Sequence, residues 1–122
     1  MVIGIRSICA LLLVSAAAYA SDVATPDEMG ELYGNTLITR TGSYTVHFYY
    51  KPDHTFSGTV PAYMFRFQGT WSEMPDGSIC RIFDPPLPRT KNPDCGPLPV
   101  RRVGEEEKEP NGDAAKLVAG IR

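Results

Sequence analysis

The chain has 122 residues, and its 12 basic and 14 acidic side chains give a formal net charge of −2. A nucleic-acid-binding domain of this size would carry a clear excess of Lys and Arg, so the charge balance argues against that class. The length provides for one small domain. The only long apolar run lies near the N-terminus, and we expect no membrane span in the rest of the chain.

The N-terminal segment has the pattern of a secretory signal peptide, over residues 1–20. Arg6 provides a short positive region, an apolar segment follows it, and residues 18–20 (AYA) form an A-x-A cleavage site. Cleavage there predicts a mature protein that is periplasmic or secreted. We expect a single β domain over residues 21–103 and a polar, acidic tail over residues 104–122.

The cysteines support the same compartment. Cys9 lies in the signal segment, which leaves Cys80 and Cys95 as a pair in the mature chain. An even pair in an exported protein predicts a disulfide. Closing a loop of about 15 residues contributes roughly 3 kcal/mol to stability in the chain-entropy model. Because a domain of this size has a small core, we interpret the bridge as a structural link and not as a redox site.

A short amphipathic helix is predicted over residues 25–34. Thr25 suits the N-cap, Pro26 suits the first helical position, and Glu28 completes a T-x-x-E capping box. The apolar face of this helix consists of Met29, Leu32 and Tyr33. A helix of two turns is not stable alone, so it should pack on the rest of the domain.

The hydrophobic pattern then alternates, as it does in strands that are buried on one face. Further strands are predicted over residues 36–40, 44–51, 55–60, 62–71 and 78–83. The clearest of these places on one face Tyr44, Val46, Phe48 and Tyr50. Every aromatic residue of the mature chain lies between Tyr33 and Phe83, so this region should contain the core.

The last third of the chain is richer in proline and charge. Residues 84–99 contain six prolines and are predicted to form an extended loop that cannot join a sheet. The tail begins with an acidic run over residues 105–109. An apolar stretch over residues 114–121 then predicts a weak final edge strand behind a mobile acidic loop, with disorder of the whole tail as the alternative.

These elements predict a mainly β fold. We expect an antiparallel curved sheet or small barrel, lipocalin-like in miniature, with one short N-terminal helix and a single disulfide. A flat open sheet is disfavoured because it would leave long strand edges exposed.

Several short motifs follow one another in a recognisable order. They are LYGNTL at residues 32–37, YYKPD at 49–53, GTW at 69–71 and DGSIC at 76–80, followed by Cys95. In this order the chain is similar to the small exported β-rich proteins of proteobacteria that are grouped as a domain of unknown function. His54 stands where the turn of that group usually carries glycine, and the proline-rich insertion before Cys95 also departs from the pattern. The resemblance implies export and a small β domain, and it implies no agreed activity.

Candidates for catalysis and metal binding are few. The two histidines, His47 and His54, lie several residues apart along a predicted hairpin, and no H-x-x-x-H or Cys/His cluster accompanies them. Glu73, Asp76 and Asp84 are possible paired carboxylates, although acids at such positions are ordinary turn residues. The chain also has no G-x-S-x-G motif. We therefore expect no enzyme, no metal site and no cofactor, and a hydrolase is only a distant third hypothesis.

The proline-rich loop provides the leading functional hypothesis, a non-catalytic domain that binds a protein partner. Within residues 84–91 a stiff apolar segment is followed by basic residues, and stiffness reduces the entropy lost on binding. We expect Leu87, Arg89 and Lys91 to contact a protein of the cell envelope or the extracellular space. The alternative is a connector that only resists proteolysis.

The second hypothesis is a small-molecule carrier. Tyr63, Phe65, Phe67 and Trp71 share one strand parity and are the predicted lining of an aromatic pocket inside the barrel. Trp71 has a second interpretation, because the hairpin register should place it near Cys80. It would then be a core residue packed on the disulfide.

Overall fold

A computed structural model describes residues 27–122 of the chain. The predicted signal peptide and the predicted helix start at Thr25 and Pro26 lie outside the described residues. Within the described part, no helix has the length and apolar character needed to cross a membrane. Residues 27–122 form eight strands: β1 (Thr36–Thr41), β2 (Tyr44–Tyr50), β3 (Thr55–Val60), β4 (Phe65–Glu73), β5 (Ile79–Phe83), β6 (Asp94–Gly96), β7 (Glu106–Lys108) and β8 (Ala114–Val118).

The strands form one antiparallel sheet in the order β6-β5-β4-β3-β2-β1-β8-β7. Strands β1 to β6 pair in chain order, and the chain then returns so that β8 pairs with β1 and β7 lies at the far edge. The sheet curls into a half-barrel whose two edges are β6 and β7. This arrangement confirms the predicted mainly β, curved antiparallel fold, and the predicted disulfide joins Cys80 to Cys95.

Aspartates close two of the hairpin turns in the same way. Asp53 Oδ1 accepts hydrogen bonds from the backbone N–H and the hydroxyl of Thr55, at 3.0 and 2.6 Å. Asp76 Oδ1 accepts the equivalent bonds from Ser78, at 2.9 and 2.6 Å. Because these bonds favour the charged carboxylate, the pKa of each aspartate lies below its usual value. Both turns lie where the sequence predicts them.

The predicted N-terminal helix is wrong over residues 27–34, the part of it that the structure describes, where a single 3₁₀ turn is present at Gly30–Leu32. Tyr33 is already extended, and the Asp27 carboxylate accepts a hydrogen bond from the Met29 N–H. Glycine in the middle of so short a segment disfavours a longer helix, and the chain must extend at once to enter β1. The docking was predicted correctly, since Met29 and Leu32 are fully buried.

The start of β4 also differs from the prediction of a strand over residues 62–71. Pro61–Tyr63 form a second 3₁₀ turn, which ends at Met64 in the left-handed conformation with φ of 52°. Proline is suited to the first position of such a turn and cannot donate to a strand ladder. The strand therefore begins at Phe65 and continues without a break through Gly69 to Glu73.

The proline-rich loop does contribute a strand, which corrects the prediction that it cannot join a sheet. Asp94–Gly96 form β6 on the edge of β5, and Cys80 lies directly opposite Cys95. These three residues lie between two prolines and keep their own N–H groups, so they can pair where their neighbours cannot.

The tail is likewise part of the sheet. Glu106–Lys108 form β7, so the run predicted to be a mobile loop pairs with β8. The final strand is Ala114–Val118, and it lies between β1 and β7 instead of at an edge.

Alternate side chains of each strand point into the curl of the sheet, and they form the inner face. The buried core comprises Met29, Leu32, Leu37, Val46, Tyr50, Phe56, Val60, Phe67, Trp71, Ile79, Phe83, Val100, Ala115 and Leu117. Two glycines make room for the rings. Gly58 lies beneath the ring of Phe67, and a Cβ at Gly69 would overlap the backbone carbonyl of Ile82. Strands β4 and β5 can therefore approach each other closely at Gly69.

Candidate functional site

The inner face of the half-barrel contains an open aromatic cleft of about 590 Å³. Its volume falls within the ordinary range of small-molecule sites, roughly 300–1,000 Å³. The lining comes from strands β2 to β6, the second 3₁₀ turn and the proline-rich loop. It consists of Tyr44, Val46, Phe48, Val60, Tyr63, Phe65, Phe67, Phe83, Leu87, Pro88, Thr90 and Asp94.

The rings at the bottom of the cleft pack on one another. Phe67 meets Phe48 edge-on with ring centroids 5.5 Å apart, and it meets Phe83 with centroids 5.7 Å apart. Phe83 also contacts Phe56 in a T-shaped pair at 5.4 Å. Aromatic pairs of this geometry fix the rings in place. The cleft therefore has a firm apolar floor.

Large apolar side chains are left exposed at the mouth of the cleft. Tyr63 is 67% exposed, Phe65 is 44% exposed and Tyr44 is 41% exposed. Tyr44 and Tyr63 touch edge-to-face, with ring centroids 6.2 Å apart. Met64, next to them on the turn, is 90% exposed. A contiguous apolar patch around a concavity on a small protein is typical of a binding site.

A charged cluster lies at one end of the inner face. Arg81 Nη2 and Asp94 Oδ2 form an ion pair at 3.0 Å, and Arg81 Nη1 donates a hydrogen bond to the Tyr50 hydroxyl at 3.0 Å. The guanidinium carbon lies 5.2 Å from the centre of the Phe48 ring, a cation–π contact. Asp94 also lines the cleft, so this cluster is the main charged feature of its wall.

The environment of the cluster favours a charged Arg81 and a neutral Tyr50. Burial opposes the positive charge of Arg81, but its interactions with Tyr50 and Asp94 outweigh the effect of burial and raise the pKa of the guanidinium. Burial raises the pKa of the Tyr50 hydroxyl, and the neighbouring Arg81 offsets part of that rise. One donor of the arginine, Nε, is buried without a hydrogen-bond partner in the described structure.

The proline-rich loop forms one wall of the cleft and is held firmly at both ends. The Asn92 side chain accepts a hydrogen bond from the Phe83 N–H at 2.9 Å and donates to the Phe83 carbonyl at 3.1 Å, so it imitates a strand residue beside β5. The Asp84 N–H donates to the carbonyl of Gln68 at 2.9 Å. Between these anchors, Leu87 turns inward and packs against the core.

Three of the four predicted pocket residues, Tyr63, Phe65 and Phe67, line the cleft. Trp71 does not. It is 4% exposed, its Nε1 donates to the carbonyl of Lys51 at 3.0 Å, and the ring of His54 stacks on it with centroids 4.3 Å apart. Burial in the core was the correct interpretation of this side chain.

The predicted packing of Trp71 on the disulfide is wrong. Trp71 pairs with Arg81 across the hairpin, whereas Cys80 pairs with Ser72. Neighbouring residues of a strand point to opposite faces, so the tryptophan lies inside the curl and the disulfide lies outside it.

The three residues predicted to contact a protein partner do not share one surface. Leu87 faces the cleft, whereas Arg89 and Lys91 are exposed on the loop. Protein binding through these residues stays a prediction, and the inward direction of Leu87 gives that residue a second role.

The remaining chemistry-bearing side chains are dispersed. Glu73 pairs with Arg101 at 3.1 Å and Asp76 closes its turn, so neither is directed at the cleft. His47 lies on β2 with Nδ1 3.4 Å from the backbone oxygen of Arg122, and His54 stacks on Trp71. Over residues 27–122, no group of three or more His, Cys, Asp or Glu side chains is placed to hold a metal ion.

Sequence reasoning missed the Arg81–Asp94–Tyr50 cluster, although part of the signal was present. In the strand 79–83, the alternation places Arg81 on the same face as Ile79 and Phe83, which predicts an arginine that points inward. Asp94 could not be found in this way, because its pairing with Arg81 depends on a strand that proline content concealed.

A second cleft, of about 530 Å³, lies over β3, β4 and β5 close to Gly69. Its lining mixes outer-face polar side chains with the edges of buried rings, and it includes Ser57, Gln68, Thr70 and Asp84. It lacks the exposed ring of aromatic residues that surrounds the mouth of the first cleft, and we therefore treat the aromatic cleft as the candidate site.

No protein-family model, curated protein or solved structure matches this chain. The resemblance to exported β-rich proteins of unknown function therefore stays a prediction, and the candidate site rests on its own geometry.

Proposed function

We propose that this protein binds a small apolar molecule in the aromatic cleft and acts as a carrier or sequestering protein. The observation that carries the proposal is the set of exposed aromatic side chains around a firm apolar concavity. Exposure of the Phe65 and Tyr63 rings to water costs free energy, and a ligand that covers them would recover it. The disulfide supports an exported location for this activity, because such bonds persist in oxidising compartments.

This proposal gives the proline-rich loop a different purpose from the one predicted at first. Leu87 and Pro88 are part of the lining, so the stiff loop serves the cleft as a wall. A wall that is already ordered loses little entropy when a ligand binds.

Fluorescence titration with an uncharged naphthylamine dye tests the proposal. We expect saturable binding by the purified protein, and Phe65→Ala should weaken it by about tenfold, because a phenylalanine contributes roughly 1.5 kcal/mol or more when fully covered. The matched control is Ile82→Ala, since Ile82 is 50% exposed and lies on the outer face of β5. Circular dichroism establishes that both variants are folded. No binding by the parent protein, or equal losses in the two variants, contradicts the proposal.

A further inference from the structure

The rim of the aromatic cleft carries two unpaired positive charges. Pro88 and Thr90 line the cleft, so the backbone of Arg89, which lies between them in the chain, runs along its edge, and Lys91 follows Thr90 directly. Both basic residues are exposed, and neither has an ion-pair partner among the residues that the structure describes. The protein as a whole has a net charge of −2, so this pair is a local feature and not part of a generally basic surface.

The loop holds the backbone of both basic residues in place before any ligand arrives. Arg89 is in the left-handed conformation, with φ of 59°, on a loop that is fixed by Asn92 at one end and by Asp84 at the other. The disulfide adds a third anchor at Cys95. A backbone that is already ordered loses little entropy on binding, so only the two side chains have to order when a ligand arrives.

The interior of the cleft offers no comparable place for a charged group. Asp94 is the acidic residue of the lining, and its charge is already paired with Arg81 at 3.0 Å. The other walls are aromatic, aliphatic or proline side chains apart from one threonine. A charged ligand group buried among them would lose its hydration without compensation. A negative group at the rim keeps contact with water and meets Arg89 and Lys91.

We propose that the ligand is an anionic amphiphile. Its apolar part lies over Phe65 and Phe67, and its acidic head, a carboxylate or a similar single anion, lies beside Arg89 and Lys91. This inference rests on the proposed function of the cleft. It also accounts for the sequence of the loop, in which the apolar Leu87 and Pro88 precede the basic residues.

A comparison of two fluorescent probes tests the inference. One is a dansylated undecanoic acid, used as a monomer below its micelle concentration, and the other is the uncharged carboxamide of the same molecule. We expect the acid to bind roughly fivefold more tightly, as two exposed charge contacts allow, and the difference should shrink as salt is added. The variant Arg89→Gln/Lys91→Gln should bind the two probes with equal affinity and should leave the affinity for the carboxamide unchanged.

The matched control is Arg40→Gln/Lys116→Gln. It makes the same change in net charge on the outer side of β1 and β8, away from the cleft. If it abolishes the preference for the acid as the rim variant does, the effect belongs to the net charge and the inference is overturned. If the parent protein binds acid and carboxamide equally, the inference is overturned while the proposed function stands. If it binds neither probe, both fall.

Vesicles distinguish a free amphiphile from a membrane surface. Sedimentation with phosphatidylcholine vesicles that contain phosphatidylglycerol should leave the protein in solution. Binding to these vesicles without binding to the monomeric acid overturns the inference, because the rim charges would then recognise a lipid surface.

Discussion

Removal of the Asp94 carboxylate tests how the charged cluster contributes to the fold. In Asp94→Ala, Arg81 keeps its place between Phe48 and the Tyr50 hydroxyl but loses its counter-charge. The cost of breaking a fully buried ion pair in this way is about 3–5 kcal/mol, because an unpaired charge is left in a poorly hydrated site. The Arg81 and Asp94 side chains are 19% and 35% exposed, and this partial hydration lowers our expectation to about 2 kcal/mol.

For a domain of this size, that change corresponds to a fall in Tm of roughly 8–16 °C. The assay is thermal unfolding followed by circular dichroism, with the disulfide intact in every sample. The double variant Arg81→Met/Asp94→Leu should lose only about 1 kcal/mol, because it removes both charges and fills the space with apolar groups, and the remaining cost is that of the buried Tyr50 hydroxyl left without Arg81. Glu107→Ala, on the exposed edge strand β7, is the control and should change stability by less than about 0.5 kcal/mol.

Two results would refute this reasoning. The first is an Asp94→Ala variant as stable as the control, which would mean that Arg81 is well hydrated without its partner. The second is a double variant as unstable as the single one, which would mean that the cost arises from lost packing and not from an unpaired charge.

Three further predictions concern the sheet and its turns. Gly69→Ala should destabilise the fold by roughly 1–3 kcal/mol in urea unfolding, because its Cβ would overlap the Ile82 backbone. Gly96→Ala is the control and should be nearly neutral, because the space at its Cβ is open. Equal effects of the two variants would contradict the close approach of β4 and β5. The pKa of Asp53 is lower in the folded state than in the unfolded state, where it lies near 4, so the charged carboxylate stabilises the fold above that pH. This stabilisation is lost as pH falls through the lower folded pKa, and Asp53→Asn should therefore flatten the acid side of the curve of Tm against pH. Asp53→Ala should in addition lower Tm at pH 7, because it removes the acceptor that closes the turn. Burial raises the pKa of Tyr50 in the folded protein, so its hydroxyl stays protonated above the unfolded pKa near 10, and the stability of the fold should decline as pH rises beyond 10. An equally steep decline in a Tyr50→Phe variant would contradict the assignment to this residue.

Much of the architecture could be predicted from the sequence, because the strands of a half-buried sheet show their period directly. The segment 44–51 has an apolar or aromatic residue at every even position and, apart from Tyr49, a polar residue between them, and β3 was predicted to the residue. At the two turns the Asp53 and Asp76 side chains accept hydrogen bonds from the backbone N–H groups two residues later, which is a local signal. The disulfide followed from the count of cysteines in a chain that is predicted to be exported.

The errors arose where tertiary pairing overrode local preference. The helix signal was a local pattern, and over the described residues 27–34 the need to enter β1 at Thr36 outweighed it. Strand β6 lies within a proline-rich segment and forms because it pairs with the otherwise unpaired edge of β5. The register of the β4–β5 hairpin placed Trp71 and Cys80 on opposite faces, a difference of one residue that a sequence alone does not fix.

The candidate site was predicted only in part for the same reason. Tyr63, Phe65 and Phe67 are neighbours in sequence and were found together. The cleft also needs Leu87 and Asp94, which reach it through a long loop and an edge strand, and no local pattern reveals such contacts. Arg81 was within reach of the alternation rule, but its partners were not.

By our proposal, the inner face of the half-barrel binds an anionic amphiphile. Backbone NMR titration of the purified protein with monomeric dodecanoate tests it most directly. We predict saturable shifts that concentrate on the amides of Phe65, Phe67 and Leu87, with Arg89 and Lys91 at the rim. Shifts confined to the outer face around Ile82, or no shifts at all, would contradict it.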